Sequence, residues 1–275
     1  MRHARIRPAG RAEPTYLRLD APAGTDFTGF EPIPTDGWLP PHSGLVYGVI
    51  LNDRASLGVY GARMTAPPHV KAPVAPVLYI KPYNTHVGHQ AVVELPNGVE
   101  RVEVGASVGI VFGATASRTN EHTALEAVAG YTLAIDLSTP KADLYRPPIL
   151  EKCWDHSLPI GPWIVDRNDV RNPGRLTVRT TINGELVHTR SLDDLHRPIL
   201  ALITAITEFM SFHPGDVLLV GYPLNVPTAG AGDAIAVECD ELGRLECRLT
   251  AAELRYAGSD SIAAGTAASR AARKP

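Results

Sequence analysis

The sequence predicts a mainly β protein of the α+β class with a few short helices, and two observations support this. The 275 residues include 24 prolines and 24 glycines, which recur every few residues and leave little room for long helices. The segments between them are short apolar runs rich in β-branched residues, a pattern typical of buried strands. With 44% hydrophobic and 20% charged residues, the chain has the composition of an ordinary globular protein.

Composition divides the chain into an arm, a domain and a tail. Residues 1–43 carry seven prolines and one strand-like segment, Thr15–Leu19, so an irregular amino-terminal arm is predicted. Residues 44–256 are predicted to form one domain. Residues 257–275 are biased towards alanine, serine and glycine, which predicts a flexible tail.

Seven apolar runs within the domain are bounded by turn residues, and each predicts a buried strand. They cover residues 45–51, 77–80, 91–95, 106–112, 131–135, 176–182 and 217–220. Helices are predicted at 119–129, which has acidic residues in its first turn, and at 192–212, which has apolar residues along one face. The pair Asn183-Gly184 predicts a two-residue hairpin turn, because both residues accept positive φ angles.

Charge and cysteine content argue against several classes of function. The 26 basic and 29 acidic residues give a net charge of -3, which disfavours nucleic-acid binding. No apolar run is long enough to span a bilayer, and the amino terminus lacks the apolar core of a secretory signal, so a cytoplasmic location is predicted. The three cysteines fit neither a disulfide framework nor a zinc site, and reduced side chains are expected.

The chain contains no HExxH, CxxC or Walker element. The strand and turn pattern could still bring a set of polar residues together. Asp136 ends an apolar strand, from which its carboxylate could enter a cleft, and Lys152 lies in a loop between strands. Capping and solvated charges are the alternative explanation. The members of this set are Lys81, Asp136, Tyr145, Arg146, Lys152, Asp155 and His156.

Five blocks of sequence, in order over most of the chain, resemble the fumarylacetoacetate hydrolase family. They are 130–136 (GYTLAID), 152–155 (KCWD) with 159–162 (PIGP), 182–185 (INGE), 214–217 (PGDV) and 221–223 (GYP). Three further segments resemble one branch of it, the amino-terminal half of the bifunctional decarboxylase and isomerase of homoprotocatechuate breakdown. They are 80–85 (IKPYNT), 105–108 (GASV) and 145–148 (YRPP).

The resemblance implies a mixed β-sheet roll whose mouth holds one Mg²⁺ or Mn²⁺ ion on three carboxylates. Such a hard cation takes oxygen ligands and binds a 2-oxo acid, polarising the carbonyl so that an adjacent carbanion becomes an enolate. A nearby lysine adds positive charge beside the oxyanion. Decarboxylation, keto–enol isomerisation and C–C hydrolysis all pass through such a species.

This chain departs from the family at the ligand positions. The Glu-x-Glu pair of the family falls on Gly105 and Ser107, which leaves Asp136 alone, so the ion is expected to bind weakly or not at all. Restoring glutamate at both positions is expected to create a Mg²⁺ site. The mobile histidine of active members falls on Ser56, so proton transfer in the usual way is lost.

The resemblance assigns roles to the residues that remain. Lys152 and Asp136 are expected to be catalytic, Lys152 as the cation that stabilises an enolate and Asp136 as a residual ligand or base. Lys81, Tyr145 and Arg146 are expected to hold an anionic oxo-dicarboxylate. Binding of such a substrate would then need no added metal.

Two functions stay open on this evidence. The resemblance implies a subunit that acts as 5-oxopent-3-ene-1,2,5-tricarboxylate decarboxylase and 2-hydroxyhepta-2,4-diene-1,7-dioate isomerase in 4-hydroxyphenylacetate catabolism. The loss of ligands favours a non-catalytic structural or ligand-binding partner of a subunit that keeps all three. In both cases a homodimer, or a heterodimer with a related family subunit, is expected, without nucleic-acid or membrane partners.

Overall fold

A computed structural model gives the structure of the protein and describes residues 1–8, 15–19, 35–61, 63–69, 71, 73–140 and 146–252. Within these residues the chain forms two β-sheets and four short α-helices. The prediction of a mainly β protein with a few short helices is therefore confirmed.

The larger sheet has eleven strands in the described part of the chain. They are β1 (Arg2–Pro8), β2 (Thr15–Leu19), β3 (Thr35–Leu39), β4 (Val46–Ile50), β5 (Val77–Lys81), β6 (His86–Val87), β8 (Arg101–Phe112), β9 (Val128–Ser138), β10 (Leu158–Asp166), β13 (Val217–Leu219) and β14 (Thr228–Gly230). Their order is β2-β1-β10-β9-β8-β13-β4-β5, with β3 beside β1, β6 beside β10 and β14 beside β8. The sheet is mixed, because β4 and β13 run parallel while β8 and β9 run antiparallel.

The smaller sheet has five strands in the same described residues. They are β7 (Ala91–Glu94), β11 (Thr177–Ile182), β12 (Glu185–Ser191), β15 (Ala234–Cys239) and β16 (Gly243–Thr250), in the order β12-β11-β15-β16-β7. The predicted turn joins β11 to β12, and the φ angles of Asn183 and Gly184 are 52° and 83°. Positive values at both residues are those of a type I′ hairpin turn.

The main hydrophobic core joins the two sheets. The long strands β8 and β9 pair along almost their whole length and are buried over most of it. Val104 and Leu137 from this pair belong to the same cluster of buried side chains as Val178 and Leu245 from the smaller sheet. Burial on both faces explains why these strands are continuous apolar runs in the sequence.

In the part of the chain that the structure describes, four α-helices connect the strands: α1 (Arg54–Gly61), α2 (Glu121–Ala127), α3 (Ile149–Lys152) and α4 (Ile199–Thr207). Both predicted helices are present, but each is shorter than predicted. Helix α4 begins only at Ile199 because Leu192–Asp194 forms a separate 3-10 turn and Pro198 directly precedes the first helical residue. No helix in the described residues is long and apolar enough to cross a membrane.

The arm differs from its prediction. Besides the predicted Thr15–Leu19, strands β1 and β3 lie in it, and β1 pairs with β10 of the domain. Arg2, Ala4 and Ile6 of β1 are buried, while His3 is exposed and Arg5 is half-buried. The described part of the arm is therefore not irregular. Its period-2 pattern escaped prediction because only Ala4 and Ile6 are apolar, and Arg2 on the same face is buried although it is charged. The predicted tail, 257–275, lies outside the described residues.

Candidate active site

A cleft of about 670 Å³ lies where the start of β8, the end of β9 and the helices α1 and α3 meet. Strand β12 and the segment that follows β13 also contribute to its wall. Its size is typical of small-molecule sites, which measure about 300 to 1,000 Å³. Polar side chains on its wall include Tyr79, Glu103, Ser138, Lys152, Arg190 and Tyr222.

Asp136 lies behind this wall with no exposed surface. It stands near the end of β9, where antiparallel pairing places it opposite Gly105 of β8. Its Oδ2 accepts hydrogen bonds from the Tyr79 phenol and from Lys152 Nζ, the latter at 3.0 Å. Its Oδ1 lies 3.1 Å from Lys81 Nζ. Three donors therefore surround this one carboxylate.

Lys152 brings a positive charge to the cleft. It is the last residue of α3, and its side chain is only 8% exposed. Besides Asp136, its Nζ donates a hydrogen bond to the Tyr222 phenol oxygen, and it lies 4.5 Å and 4.7 Å from the ring centroids of Tyr79 and Tyr222. Two of its three ammonium hydrogens are used in this way, which leaves one for an oxygen of a bound molecule.

Lys81 belongs to the same cluster but does not reach the cleft. Its side chain is fully buried, and its Nζ contacts the Lys152 carbonyl at 2.6 Å and Ser157 Oγ at 3.0 Å. It is not among the residues that line the cleft. The predicted contact of Lys81 with a substrate has no support from this position: its ammonium is held inside the protein, where it contacts the end of α3 and balances Asp136.

The buried cluster carries two ammonium groups and one carboxylate, so its net charge is positive. Burial alone would raise the pKa of Asp136, but the charges of Lys152 and Lys81 outweigh it, and the pKa is lowered. Burial likewise opposes the charge of Lys152, yet Asp136 and Tyr222 raise its pKa above the ordinary value. Lys152 therefore stays protonated at neutral pH.

Lys81 is expected to titrate near pH 8, because burial and the charge of Lys152 lower its pKa from 10.5 to about 8 despite Asp136. The unfolded chain then holds more protons than the fold between these two values. The contribution of Lys81 to the free energy of unfolding should therefore increase as the pH rises through this window. NMR titration of ¹³C-labelled lysine, with Lys81→Met to identify the signal, measures the pKa. Lys152→Met should raise it; a wild-type value at or above 10.5 contradicts the expected environment.

Two glycines create the room in which the tyrosine rings reach the cluster. Gly48 of β4 lies beside Tyr79, and Gly105 of β8 lies beside Tyr222. A Cβ atom at Gly48 would overlap the Tyr79 phenol, and one at Gly105 would overlap the Tyr222 ring. The missing side chains therefore allow both phenols to stand beside Lys152.

A row of hydroxyl groups leads from Tyr222 to a carboxylate on the cleft wall. Ser138 Oγ lies 3.3 Å from the Tyr222 phenol oxygen and 3.3 Å from Glu103 Oε2. Pairing of β8 with β9 sets this geometry, because it places Glu103 directly opposite Ser138. Burial raises the pKa of Glu103, although Ser138 and Lys152 act in the opposite direction.

The structure brings together only part of the predicted set. Lys81, Asp136 and Lys152 form one cluster, but the Asp155 carboxylate accepts a hydrogen bond from Asn84 on the exposed surface instead. Arg146 is exposed and does not line the cleft, so a substrate contact by this residue has no support from its position. Tyr145, predicted to bind substrate, lies outside the described residues.

Sequence patterns do not single out Tyr79, Ser138 and Tyr222, which the structure places in the cluster. Spacing held a signal for two of them. Tyr79 precedes Lys81 by two positions in β5, and Ser138 follows Asp136 by two positions in β9, so each pair shares one face of its strand. Tyr222 had a weaker signal, its place within one of the blocks that carry the resemblance.

Comparisons with known proteins identify the family of this chain. Residues 45–250 match the family described as Fumarylacetoacetate (FAA) hydrolase C-terminal. The chain belongs to the fumarylacetoacetate hydrolase family. The 4-hydroxyphenylacetate degradation bifunctional isomerase/decarboxylase of Salmonella dublin is 37% identical over 203 residues, which are 74% of this chain. The chain spans only 46% of that relative's length.

Two solved structures of similar fold show how widely this architecture is used. The 5-carboxymethyl-2-hydroxymuconate delta-isomerase of Mycobacterium smegmatis has a TM-score of 0.73 and 24% identity, covering 92% of this chain and all of that one. A maleylpyruvate hydrolase from Sphingobium sp. SYK-6, in complex with manganese (II) and pyruvate, has a TM-score of 0.65 and 22% identity. This match covers 78% of the present chain and 74% of the hydrolase chain.

The donor set of this chain does not fit the divalent ion expected for the family. Both oxygens of Asp136 face ammonium groups, the Tyr222 ring fills the space beside Gly105, and Ser107 Oγ donates a hydrogen bond to the Gly221 carbonyl at 3.0 Å. Among the described residues, no three His, Cys, Asp or Glu side chains are grouped closely enough to hold a metal. The chemistry of this cleft is therefore derived from its own side chains.

Ser56 occupies the position at which the resemblance expects a mobile histidine. It is buried in α1, and its Oγ accepts a hydrogen bond of 3.1 Å from the Leu224 backbone N–H. The hydroxyl therefore fixes the segment after Tyr222 against α1. A proton-transfer group for this cleft has to be sought elsewhere on its wall.

Proposed function

We propose that this chain binds a 2-oxo dicarboxylate in the cleft and catalyses its keto–enol isomerisation, as part of aromatic-compound catabolism. The observation that carries the proposal is the placement of Lys152 Nζ, held by Asp136 and Tyr222 on the cleft wall. The similarity to a bifunctional isomerase/decarboxylase supports the reaction class. Lys152 takes the role that the ion has in metal-dependent members.

The ammonium of Lys152 suits an oxyanion that forms during the reaction. Enolisation moves negative charge onto the 2-oxo oxygen, and a fixed, poorly solvated cation stabilises that charge without reorganisation. The raised pKa keeps Lys152 protonated, so it acts as a hydrogen-bond donor and not as a base or an amine nucleophile. Arg63, an exposed cation on the same wall, suits the distal carboxylate.

A second candidate function is a non-catalytic, ligand-binding partner of another family subunit. The packing of Tyr222 beside Gly105 favours it, since this ring occupies space next to the carboxylate that would be a ligand. Both candidates include binding of an oxo-dicarboxylate. Only the isomerase candidate includes exchange of substrate protons with water.

Binding of 2-oxoadipate is expected to persist in EDTA and to weaken with salt, because lysine and not a metal holds the anion. Lys152→Met should lower the affinity at least about tenfold, since a hydrogen bond to a charged group contributes about 1.5–3 kcal/mol. Titration calorimetry measures both effects. Lys71→Met, at an exposed lysine outside the cleft, is the matched control. Loss of binding in EDTA, or full affinity in Lys152→Met, contradicts the proposal.

A further inference from the structure

We propose that Tyr222 is the catalytic residue that exchanges the substrate proton, and that Ser138 and Glu103 form the relay through which its own proton leaves. This inference rests on the proposed isomerase function and deepens it. It assigns proton transfer to a row of side chains that replaces the missing histidine at Ser56.

The hydrogen bonds of the row have one consistent direction. Lys152 Nζ donates to the Tyr222 oxygen, so the phenol hydrogen is free to point elsewhere. Ser138 Oγ donates to Glu103 Oε2 at 3.3 Å and therefore accepts from the Tyr222 hydroxyl, also at 3.3 Å. A proton can thus pass from Tyr222 to Ser138 and on to Glu103 without reorientation of any hydroxyl group.

All members of the row border the cleft, so a ligand can meet one end of it. The Tyr222 oxygen and Lys152 Nζ stand side by side, which places a proton acceptor next to the cation that stabilises the enolate. A substrate whose 2-oxo oxygen faces Lys152 presents its adjacent C–H bond to Tyr222. Proton removal and charge stabilisation then occur at neighbouring atoms.

The proton balance of the step closes within these groups. As the substrate C3–H bond breaks, its electron pair forms the enolate, whose oxygen accepts a hydrogen bond from Lys152. The proton goes to the Tyr222 oxygen, which releases its own proton to Ser138 Oγ, and Ser138 passes its proton to Glu103. The carboxylate becomes neutral while the substrate gains one negative charge. While the enolate is bound, the protons of Glu103 and of the two hydroxyls exchange with solvent. Return of a solvent-derived proton from Tyr222 to the same carbon completes the exchange, and its return to another carbon completes the isomerisation.

Other cleft groups are less suited to the role. The Tyr79 phenol donates to Asp136, a carboxylate already paired with two ammonium groups. Arg190 cannot serve as a base at neutral pH, and its guanidinium contacts Asp194 and the Gly221 carbonyl. Tyr222 instead connects to Glu103, whose pKa burial raises towards that of a useful proton acceptor.

The test is exchange of the C3 protons of 2-oxoadipate with D₂O, followed by NMR in the presence of EDTA, with affinity measured in parallel by calorimetry. Tyr222→Phe keeps the ring but removes the hydroxyl, and it should slow exchange at saturating ligand about a hundredfold with little change in affinity. Tyr16→Phe, at an exposed phenol of β2 outside the cleft, is the matched control and should exchange at the wild-type rate.

Variants of the relay separate proton transfer from structure. Ser138→Ala and Glu103→Gln should each slow exchange at least about tenfold at unchanged affinity, because each interrupts the row beyond Tyr222. If the wild type exchanges the protons, and Tyr222→Phe or both relay variants exchange them at the wild-type rate, the inference is overturned and the isomerase proposal stands. Binding without any exchange by the wild type overturns the isomerase proposal itself.

Discussion

Asp136→Asn is expected to lower the free energy of unfolding by about 3 to 5 kcal/mol, because it leaves buried charges without their counter-ion. The substitution keeps the shape of the side chain but removes the negative charge that lies between two buried ammonium groups. Lys81 Nζ and Lys152 Nζ lie 3.1 Å and 3.0 Å from its oxygens. Their mutual repulsion and their desolvation are then no longer offset.

Lys81→Met should cost less than Asp136→Asn, although both remove one charge from the same cluster. Without Lys81, Asp136 keeps its contact with Lys152 and the cluster becomes neutral. Adding Lys81→Met to Asp136→Asn removes one of the two unpaired ammonium groups. The double variant should therefore be more stable than the sum of the single effects predicts.

Urea denaturation at pH 7 and pH 9 measures these effects. Asp136→Asn should regain stability at the higher pH, because Lys81, whose pKa is already lowered to about 8, then releases its proton in the fold. Equal losses from Asp136→Asn and Lys81→Met at pH 7, or additive effects in the double variant, contradict the charge balance described for this cluster.

The central strands of the fold follow from their sequences, whereas strand β10 does not. Strands β8 and β9 contain long continuous runs of β-branched and apolar residues, and such runs predict buried strands. Strand β10 contains Pro159 and Pro162, which lack the N–H group of a regular ladder. In the structure the pairing of β10 with β9 shifts register between Gly161 and Val165. The sheet accommodates the two prolines there because the neighbouring strands hold β10 in place, which the local sequence does not show.

Helix α1 is likewise not predicted by its local sequence. It contains Gly58 and ends at Gly61, both weak helix formers, so its stability depends largely on tertiary contacts. Asp53 Oδ1 accepts a hydrogen bond of 2.7 Å from the Ser56 backbone N–H in its first turn. That cap is a local signal, but without a strong apolar periodicity it does not predict a helix.

In the site, motif spacing predicts Asp136 and Lys152, because each occupies a position that the resemblance assigns. It does not predict that Lys81 lies behind Lys152 and out of reach of the cleft. Nor does it predict the two phenols, because their positions depend on glycines in other strands, at Gly48 and Gly105. Such a contact is a property of two distant segments, and a single sequence does not display it.

Gly105→Ala is expected to lower the free energy of unfolding by about 1 to 3 kcal/mol, the usual cost of overpacking a well-filled site. Its Cβ would overlap the Tyr222 ring, which cannot move away freely because its hydroxyl is held by Lys152 and Ser138. Gly58→Ala in α1 is the control, since no atom lies within 4 Å of the added Cβ, and it should stabilise the protein by about 0.5–1 kcal/mol.

A double-mutant cycle with Tyr222→Ala separates the clash from other effects of Gly105→Ala. With the ring removed, the added Cβ has room, so the cost of Gly105→Ala should largely disappear and the two substitutions should couple strongly.

The same clash revises the expectation that Gly105→Glu/Ser107→Glu creates a metal site. Calorimetry should detect no Mg²⁺ binding in that variant while Tyr222 is present, and stoichiometric Mg²⁺ uptake there would show that the ring is not the obstacle.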